Sequence, residues 1–273
     1  MLANFIGLDK FYVGMHNYLT QYAYNNAKTV DLWQALEAAS GLKITAMAHT
    51  WTTQMGFPVV TVTKNGEKLW LTQERFLSNG TKDTESKWDV PVTFRTPAGV
   101  TNAGIWKADV ATFELDAPGA EWAKINADQT AFFLTNYSSD MWKALQAPVS
   151  TQALGTLDRV SLLHTAFVLA RAGLLSVGDA LDFSGAYAQD TEYLVWKELS
   201  ESLATYLRLF KHETWFPKFQ AYIQRLYKAV MADLTWETRS SDLDITTNFR
   251  RDVIAMLSWA KDPAVVAEAA ARF

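Results

Sequence analysis

The sequence lacks several patterns that would assign it to a common protein class. None of its 273 residues is cysteine, which excludes disulfides and thiolate metal sites and fits a reducing compartment. No apolar run is long enough to cross a bilayer. The first residues, Met1 to Ile6, lack the basic start and long apolar run of a signal peptide. We therefore predict a cytoplasmic protein without a membrane segment.

An excess of charge of one sign is also absent. The chain has 25 Lys and Arg against 29 Asp and Glu, a formal net charge of −4, so it carries no basic footprint for nucleic acid. Hydrophobic residues make up 49% and charged residues 20%, a composition typical of globular rather than disordered proteins. The length allows two or more compact units, each with its own core.

The spacing of apolar residues changes at Gly56. Before it, apolar residues recur at helical spacing, and from Val59 onward they alternate. Glycine can end a helix through left-handed backbone angles, and Pro58 cannot continue one. We predict that a helical segment ends here and a β segment begins, with Trp51 and Phe57 holding the two together. An ordinary helix-to-strand link inside one domain would show the same features.

The spacing of apolar residues predicts four helices within residues 1–56. The first is the tail of an amphipathic helix without a capping residue. Asp9 and Thr29 are predicted caps of the second and third helices, Gly41 ends the third, and the fourth spans about 46–55. The second helix has a broad apolar stripe at spacings of three and four. This stripe predicts a core face, part of which would pack against residues outside this chain. The stripe consists of Phe11, Tyr12, Met15, Tyr18, Leu19 and Tyr22.

Residues 57–147 predict a small β-sandwich of about seven short strands. Asn65-Gly66 between two alternating runs indicates a hairpin. Ser78 to Lys87 is polar and is the predicted mobile loop. The other strands are predicted at residues 90–95, 104–107, 111–115, 122–126 and 131–137.

Residues 148–273 predict a stack of helices in which each unit packs on its neighbours, as in an α-solenoid. Pro148 marks the return to helical spacing. Ser176 with Asp179 is similar to a capping box, and Asp262-Pro263 is a typical helix start. The helices are predicted at about residues 157–172, 176 onward, 190–208, 215–234, 244–260 and 264 onward.

Short motifs follow one another in a fixed order through the first half of the chain. The first four are Asp31-Leu32-Trp33, Trp51-Thr52, Gly56-Phe57-Pro58-Val59 and Gln73-x-Arg75-Phe76-Leu77. Their order and spacing resemble the M1 (gluzincin) zinc aminopeptidases, especially the puromycin-sensitive and endoplasmic-reticulum types, in which such residues join the end of the peptidase domain to a β-sandwich. Two later segments, Trp88-Asp89-Val90-Pro91-Val92 and Trp122-Ala123-Lys124-Ile125-Asn126, also resemble segments of that family.

The second half resembles the start of the family's C-terminal helical domain. His164 stands where the family pattern leads us to expect aspartate, and Thr235 where glycine is common. The matching motifs are Asp158-Arg159-x-x-Leu162, Leu169-Ala170-x-Ala172-Gly173, Glu192-Tyr193-x-x-Trp196 and Leu234-x-Trp236. The resemblance implies a parent protein that uses zinc to remove N-terminal residues from peptides, with the helical domain closing over the substrate.

The motifs for that chemistry are absent from the sequence. Zinc in this family needs His-Glu-x-x-His, because two imidazoles one helical turn apart bind the metal and the glutamate acts as general base. The four histidines are His16, His49, His164 and His212, and no two lie three or four residues apart. The substrate-binding Gly-x-Met-Glu-Asn loop is also missing, and the family's tyrosine would precede Met1. Neither a Gly-x-Ser-x-Gly elbow nor a phosphate-binding loop occurs.

Other charged or phenolic residues could carry chemistry, and each has a simpler interpretation. Carboxylates of one predicted helix, Glu192, Glu198 and Glu201, are read as a solvated face. A cation site is conceivable in the loop before residue 245, but a helix cap is the preferred reading. The remaining pairs are Asp242 with Asp244 in that loop, Arg250 with Arg251 as an exposed basic pair or a peptide-carboxylate contact, and Tyr12 with Tyr18 as core.

We therefore interpret the chain as a C-terminal piece of an M1 aminopeptidase, cut at both ends. It would hold the last peptidase-domain helices (1–56), a β-sandwich (57–147) and part of the helical domain (148–273). We predict no catalytic, metal or cofactor-binding residue, no peptidase activity, and as partners peptides and the missing peptidase domain. Two alternatives stay open: a stand-alone peptide-binding or regulatory module that uses a concave helical face, and the accessory half of a split enzyme.

Overall fold

The computed structural model describes all 273 residues and shows a mixed α and β protein. It contains eleven helices and two small sheets. The chain divides into two compact units, Met1–Met141 and Trp142–Phe273. No helix combines the length and the apolar character that a membrane span requires.

Four helices open the first unit, as predicted: α1 (Leu2–Ile6), α2 (Leu8–Gln21), α3 (Thr29–Ser40) and α4 (Thr45–Thr52). Gly41 ends α3 in the left-handed conformation, with φ of 73°.

The two predicted caps of these helices are wrong. Gly7 precedes α2, and Asp9 lies in its first turn. Lys28 precedes α3, and its amide donates to the Asp31 carboxylate at 2.7 Å. In both cases the acidic side chain lies inside the first turn, where the positive end of the helix dipole stabilises a carboxylate.

Helix α2 buries only one side of its apolar stripe. Gly14 lies directly against α3, where an added Cβ would come within 2.8 Å of the Leu36 side chain. Phe11 and Met15 pack on the core cluster around Leu36, whereas the Tyr12 side chain is 65% exposed. The interpretation of Tyr12 as core is therefore wrong, because the close approach of α3 brings only the Gly14 side of α2 inward.

Seven strands follow: β1 (Pro58–Asn65), β2 (Lys68–Arg75), β3 (Val90–Thr96), β4 (Gly99–Trp106), β5 (Phe113–Asp116), β6 (Lys124–Ile125) and β7 (Leu134–Tyr137). One sheet has the order β5-β2-β1-β7 and the other β4-β3-β6. β1 and β7 pair in parallel, and the remaining neighbours are antiparallel.

The predicted hairpin is confirmed between β1 and β2. Asn65 pairs with Lys68, so Gly66 and Glu67 form the two-residue loop. Gly66 has φ of 62°, a conformation that glycine adopts without strain and that such tight loops require.

The junction after α4 is held by side chains from both sides. The Trp51 Nε1 donates to the Asp89 carbonyl at 2.8 Å, and the Gln54 amide donates to the Lys87 carbonyl at 2.7 Å. The Phe57 ring stacks on Phe76 with 5.5 Å between centroids. Trp51 and Phe57 thus contact the β segment as predicted.

The loop at residues 78–87 is anchored to the neighbouring strand. The Arg75 amide donates to the Asp83 carbonyl at 3.0 Å. The Asp83 carboxylate accepts from the Ser86 amide at 3.1 Å, from the Ser86 hydroxyl at 2.9 Å and from the Glu85 amide at 3.1 Å. These hydrogen bonds, those from Ser86 most, lower the Asp83 pKa.

Helices fill the second unit, the first of them beginning just before it: α5 (Ser139–Ser150), α6 (Thr156–Arg171), α7 (Val177–Ser184), α8 (Tyr193–Phe210), α9 (Phe216–Leu234), α10 (Asp244–Trp259) and α11 (Pro263–Arg272). α6 packs on α7 and α8, α8 on α10, and α10 on α9 and α11.

The boundary predicted at Pro148 is wrong for the secondary structure. Helix α5 already begins at Ser139, and Pro148 lies inside its last turn. The two other predicted starts are confirmed, since Ser176 accepts from the Asp179 amide and Asp262 from the Val265 amide, each at 3.0 Å.

A buried ion pair holds α6 to the segment before α8. The Arg159 Nε lies 2.7 Å from the Asp190 carboxylate, and both side chains are at most 4% exposed. The Tyr187 hydroxyl donates to the Arg159 carbonyl at 2.8 Å, and the Trp196 Nε1 to the Asp190 carbonyl at 2.7 Å. Arg159 and Trp196, which carry the family resemblance, are therefore framework residues of the helical unit.

Candidate functional site

The residues of this chain do not form a zinc site. His16 lies on α2, His49 on α4, His164 on α6, and His212 follows α8. No group of three or more His, Cys, Asp or Glu side chains is arranged to hold a metal ion. Zinc needs three or four such ligands about 2.0–2.3 Å away, so the side chains present do not fit the metal that the resemblance implies.

Arg250 is a structural residue and cannot serve as the exposed contact considered above. Its side chain is 6% exposed, and its Nε donates to the Leu234 carbonyl at 3.1 Å and to the Thr235 carbonyl at 3.2 Å. Its guanidinium also pairs with Asp242. Arg250 thus satisfies the carbonyls at the end of α9, while Arg251 is exposed and contacts Asp252 at 3.2 Å.

Asp242 does not cap the next helix, and its carboxylate accepts hydrogen bonds from protein donors instead. Leu243 precedes α10 without a side-chain cap, and Asp244 is the first residue of the helix. The Asp242 carboxylate accepts from the Arg239 amide at 2.9 Å and from Arg250. The backbone hydrogen bond from Arg239, followed by that from Arg250, lowers the Asp242 pKa, as donors to a carboxylate do. The cap interpretation of Asp242 is wrong.

A candidate binding surface lies on α6, α8 and α10 of the second unit, and we call it the α6–α8–α10 face. It contains two cavities of about 210 Å³ each, one between α6 and α8 and one between α8 and α10. Glu201 lines both, so it stands on the ridge that separates them.

One end of the α6–α8 groove is acidic. His164 Nδ1 lies 3.1 Å from Glu198 Oε1, and the Ser202 hydroxyl donates to the same oxygen at 3.2 Å. Glu198 is 20% exposed, whereas the Glu201 carboxylate is exposed and has no partner. The reading of these carboxylates as a solvated face therefore holds for Glu192 and Glu201, which are exposed, and not for Glu198.

The other end of this groove offers donors. Tyr206 is 3% exposed, and its hydroxyl is buried without a hydrogen-bond partner. Burial raises the Tyr206 pKa, with Arg171 opposing that shift, so the hydroxyl is a neutral donor at physiological pH. The exposed Arg171 guanidinium forms no ion pair. The exposed guanidinium can bind an oxyanion through charge-assisted hydrogen bonds, whereas the Tyr206 hydroxyl is closed off from solvent.

The α8–α10 groove combines an apolar floor with a charged rim. Its end is fixed by α9, because the Gln224 amide donates to the Ala260 carbonyl at 2.9 Å. The groove is lined by Lys197, Ser200, Glu201, Ala204, Asp252, Ala255, Met256 and Trp259.

Sequence reasoning named Glu198 and Glu201 but missed Arg171, Tyr206 and Trp259. These residues come from three helices that are distant in sequence. The signal that could have found them is the spacing along each helix, for example His164 and Arg171 seven residues apart on one face of α6.

Comparison with known proteins gives two family matches in chain order. Residues 1–51 match the family described as Peptidase family M1 domain. Residues 122–273 match the family described as ERAP1-like C-terminal domain, which covers more than half of the chain.

Individual relatives agree with these matches. Aminopeptidase A of Gloydius brevicauda is 30% identical over 287 residues, covering 100% of this chain and 30% of its own length. The alanine/arginine aminopeptidase of Saccharomyces cerevisiae is 35% identical, covering 75% of this chain and 24% of its own length. The puromycin-sensitive aminopeptidase of Caenorhabditis elegans is 33% identical, covering 76% of this chain and 23% of its own length. The chain thus spans at most about a third of the length of these relatives.

Proposed function

Because the chain belongs to the M1 aminopeptidase family, with an ERAP1-like C-terminal domain at residues 122–273, we propose that it is the non-catalytic C-terminal region of an aminopeptidase. The whole protein would remove N-terminal residues from peptides. The order of the two family matches is the observation that carries this proposal, since the peptidase match precedes the C-terminal match in one chain. Its location in the cytoplasm stays a prediction.

We propose the three-part division for this region. Residues 1–56 would complete the peptidase domain, in agreement with the match at residues 1–51. Residues 57–147 would form the β-sandwich, for which the two sheets supply the strands. Residues 148–273 would form the α-solenoid-like domain, supported by the successive packing of α6, α8 and α10.

The zinc of the family would be held by another part of the protein. When bound, zinc activates a water molecule for hydrolysis of a peptide bond. The histidines of this chain lie on separate elements and cannot bind it. We therefore assign no catalytic residue to this chain, and its contribution is to bind and orient peptides.

The α6–α8–α10 face is the proposed peptide-binding surface. Two neighbouring grooves give room for side chains on either side of α8. The face also carries the unpaired donor Arg171 and the unpaired acceptor Glu201, both exposed. A binding groove with an apolar floor and few well-placed polar groups is the usual form of a ligand site.

Peptide binding to the purified chain tests this function. Fluorescein-labelled peptides of about ten residues should bind saturably in fluorescence anisotropy, since unpaired groups and apolar floors are available to them. Glu201→Trp places a bulky side chain between the two grooves, which should block both and weaken binding at least about tenfold. Glu213→Trp, an exposed change between α8 and α9, is the matched control.

Two results would contradict the proposal. If peptides do not bind saturably to the folded wild-type chain, the α6–α8–α10 face is not a peptide-binding surface. Zinc-dependent hydrolysis of an aminoacyl arylamide by the same chain would contradict its assignment as non-catalytic.

A further inference from the structure

We propose that the α8–α10 groove is a subsite for one basic side chain, arginine or lysine, of a bound peptide. This inference rests on the proposed function, because it assumes that peptides occupy the α6–α8–α10 face. It adds the chemical class of the residue that the groove selects.

The floor of the groove fits the stem of a long basic side chain. The small residues Ala204 of α8 and Ala255 of α10 line the groove, together with the buried Met256. Lysine and arginine bury their aliphatic stems on apolar surface while the charged head stays in water. A groove of about 210 Å³ that is open to solvent suits such an amphipathic group.

The wall of the groove offers an aromatic surface to a cation. Trp259, the last residue of α10, is 58% exposed. The backbone that carries it is held by α9, because the Gln220 and Gln224 amides donate to the carbonyls of Trp259 and Ala260 at 3.5 Å and 2.9 Å. A cation over a tryptophan ring is attracted by the ring quadrupole, and the C-terminal end of a helix also favours positive charge.

The charges on the rim favour a basic occupant. Asp252 already accepts from the Tyr193 hydroxyl at 3.0 Å and pairs with Arg251 at 3.2 Å. Glu201 has no partner, although Lys197 precedes it by one helical turn without forming an ion pair. An incoming cation would therefore meet an unsatisfied carboxylate. An acidic side chain would also meet the unpaired Lys197, but the groove lining carries two carboxylates, Glu201 and Asp252, against this one ammonium. A neutral side chain would leave Glu201 unpaired.

A positional scan with matched peptides tests the subsite. The probes are labelled alanine-based decapeptides that carry a single arginine at successive positions, each compared with the same peptide carrying citrulline. Citrulline keeps the shape of arginine and removes the charge. We expect one position at which arginine binds the full 273-residue chain about tenfold more tightly than citrulline, through the combined effect of the ring and the carboxylate.

Two variants locate the effect. Glu201→Gln should remove most of the preference for arginine, and it is exposed, so the fold should be retained. Trp259→Leu should weaken binding of the arginine peptide about threefold or more and leave the citrulline peptide nearly unchanged. Glu213→Gln is the control and should preserve the preference.

The outcomes separate this inference from the proposed function. If arginine and citrulline peptides bind equally well at every position, the subsite is overturned while peptide binding stands. If the preference survives in Glu201→Gln, the groove is not its source and the inference is likewise overturned. If no peptide binds the folded chain, both proposals fail.

Discussion

Thr235, the residue after α9, adopts a backbone conformation that β-branched side chains resist. Its φ is 57° and its ψ is −177°, a region occupied almost only by glycine. The resemblance to M1 aminopeptidases had marked this position as one where glycine is common. The structure gives the physical reason, since the chain must reverse here while Arg250 binds the carbonyls of Leu234 and Thr235.

We predict that Thr235→Gly stabilises the protein by about 1 kcal/mol, the scale of the strain held by a non-glycine residue in this region. Urea unfolding followed by circular dichroism measures the change. Thr235→Ala is the control, because alanine keeps the Cβ and should gain little. Equal stabilisation by both variants would show that the strain is not the cause.

Single residues were the least predictable feature of the sequence. Asp9 and Thr29 are suitable capping residues, yet helix ends are decided by the neighbouring backbone, and each is displaced by one or two positions. Arg250 looks like a solvent-facing charge because its partners lie on another helix and in a loop. Only its tertiary contacts reveal that it is buried.

Glu37 on α3 fixes the start of the next helix. Its Oε1 accepts from the amides of Ile44 and Thr45 at 2.7 and 2.8 Å. The backbone hydrogen bond from Thr45 is the largest cause that lowers the Glu37 pKa below its usual 4.5. Two orphan donors of α4 are thus satisfied by a residue from the preceding helix.

We predict that Glu37→Gln destabilises the protein by about 1 kcal/mol at neutral pH, the usual scale of a helix cap. Because the folded-state pKa is depressed, the extra stability of the wild type is fully present above the unfolded value near 4.5. It is lost as pH falls through the lower folded value. Urea midpoints between pH 7 and pH 3 should therefore converge for the two proteins.

The exposed change Glu121→Gln is the control and should show no such convergence. A difference between wild type and Glu37→Gln that stays constant down to pH 3 would contradict the charged cap.

Helices were more predictable than strands in this chain. The helices with clear apolar periodicity all exist, although α5 begins well before Pro148. The strand predicted at residues 122–126 shrinks to Lys124–Ile125. The reason is Asn126, whose φ is 63° and whose side chain bonds both the amide and the carbonyl of Ala131. This local turn competes with the strand in a way that alternation of apolar residues does not show.

At the scale of the whole molecule, the first unit presents an apolar helix surface to solvent. Leu8, Tyr12 and Leu19 on α2 are 54%, 65% and 61% exposed. Contiguous exposed apolar surface commonly marks a contact with another protein part. We propose that in the whole protein this surface is covered by the remainder of the peptidase domain, which agrees with the family match at residues 1–51.

We predict that this surface makes the isolated chain self-associate. The triple substitution Leu8→Gln, Tyr12→Gln and Leu19→Gln should shift sedimentation velocity profiles toward the monomer at concentrations of about 10–100 μM, by removing exposed apolar area. The control is Leu209→Gln with Leu243→Gln, which removes exposed leucines from the second unit. Association that persists in the triple variant would place the contact elsewhere.

The order of structural classes along the chain was predictable, and the candidate binding face was not. Periodicity reports which side of one helix is apolar, so it yields helices and strands in sequence. The α6–α8–α10 face depends on which helices become neighbours, and Tyr206 was indistinguishable from core residues by spacing alone. Contacts between distant segments are the part that this single sequence did not specify.

The parallel pairing of β1 with β7 has a consequence for folding during translation. Val59 pairs with Leu134, so the strand that enters the sheet region meets the strand that leaves it. During translation, β1 can form its hairpin with β2 early but waits for its second neighbour until nearly the whole region has left the ribosome. Pairing across such a separation in sequence is slow. A translational pause or premature stop before β7 would leave β1 as an exposed edge strand, to which chaperones could bind.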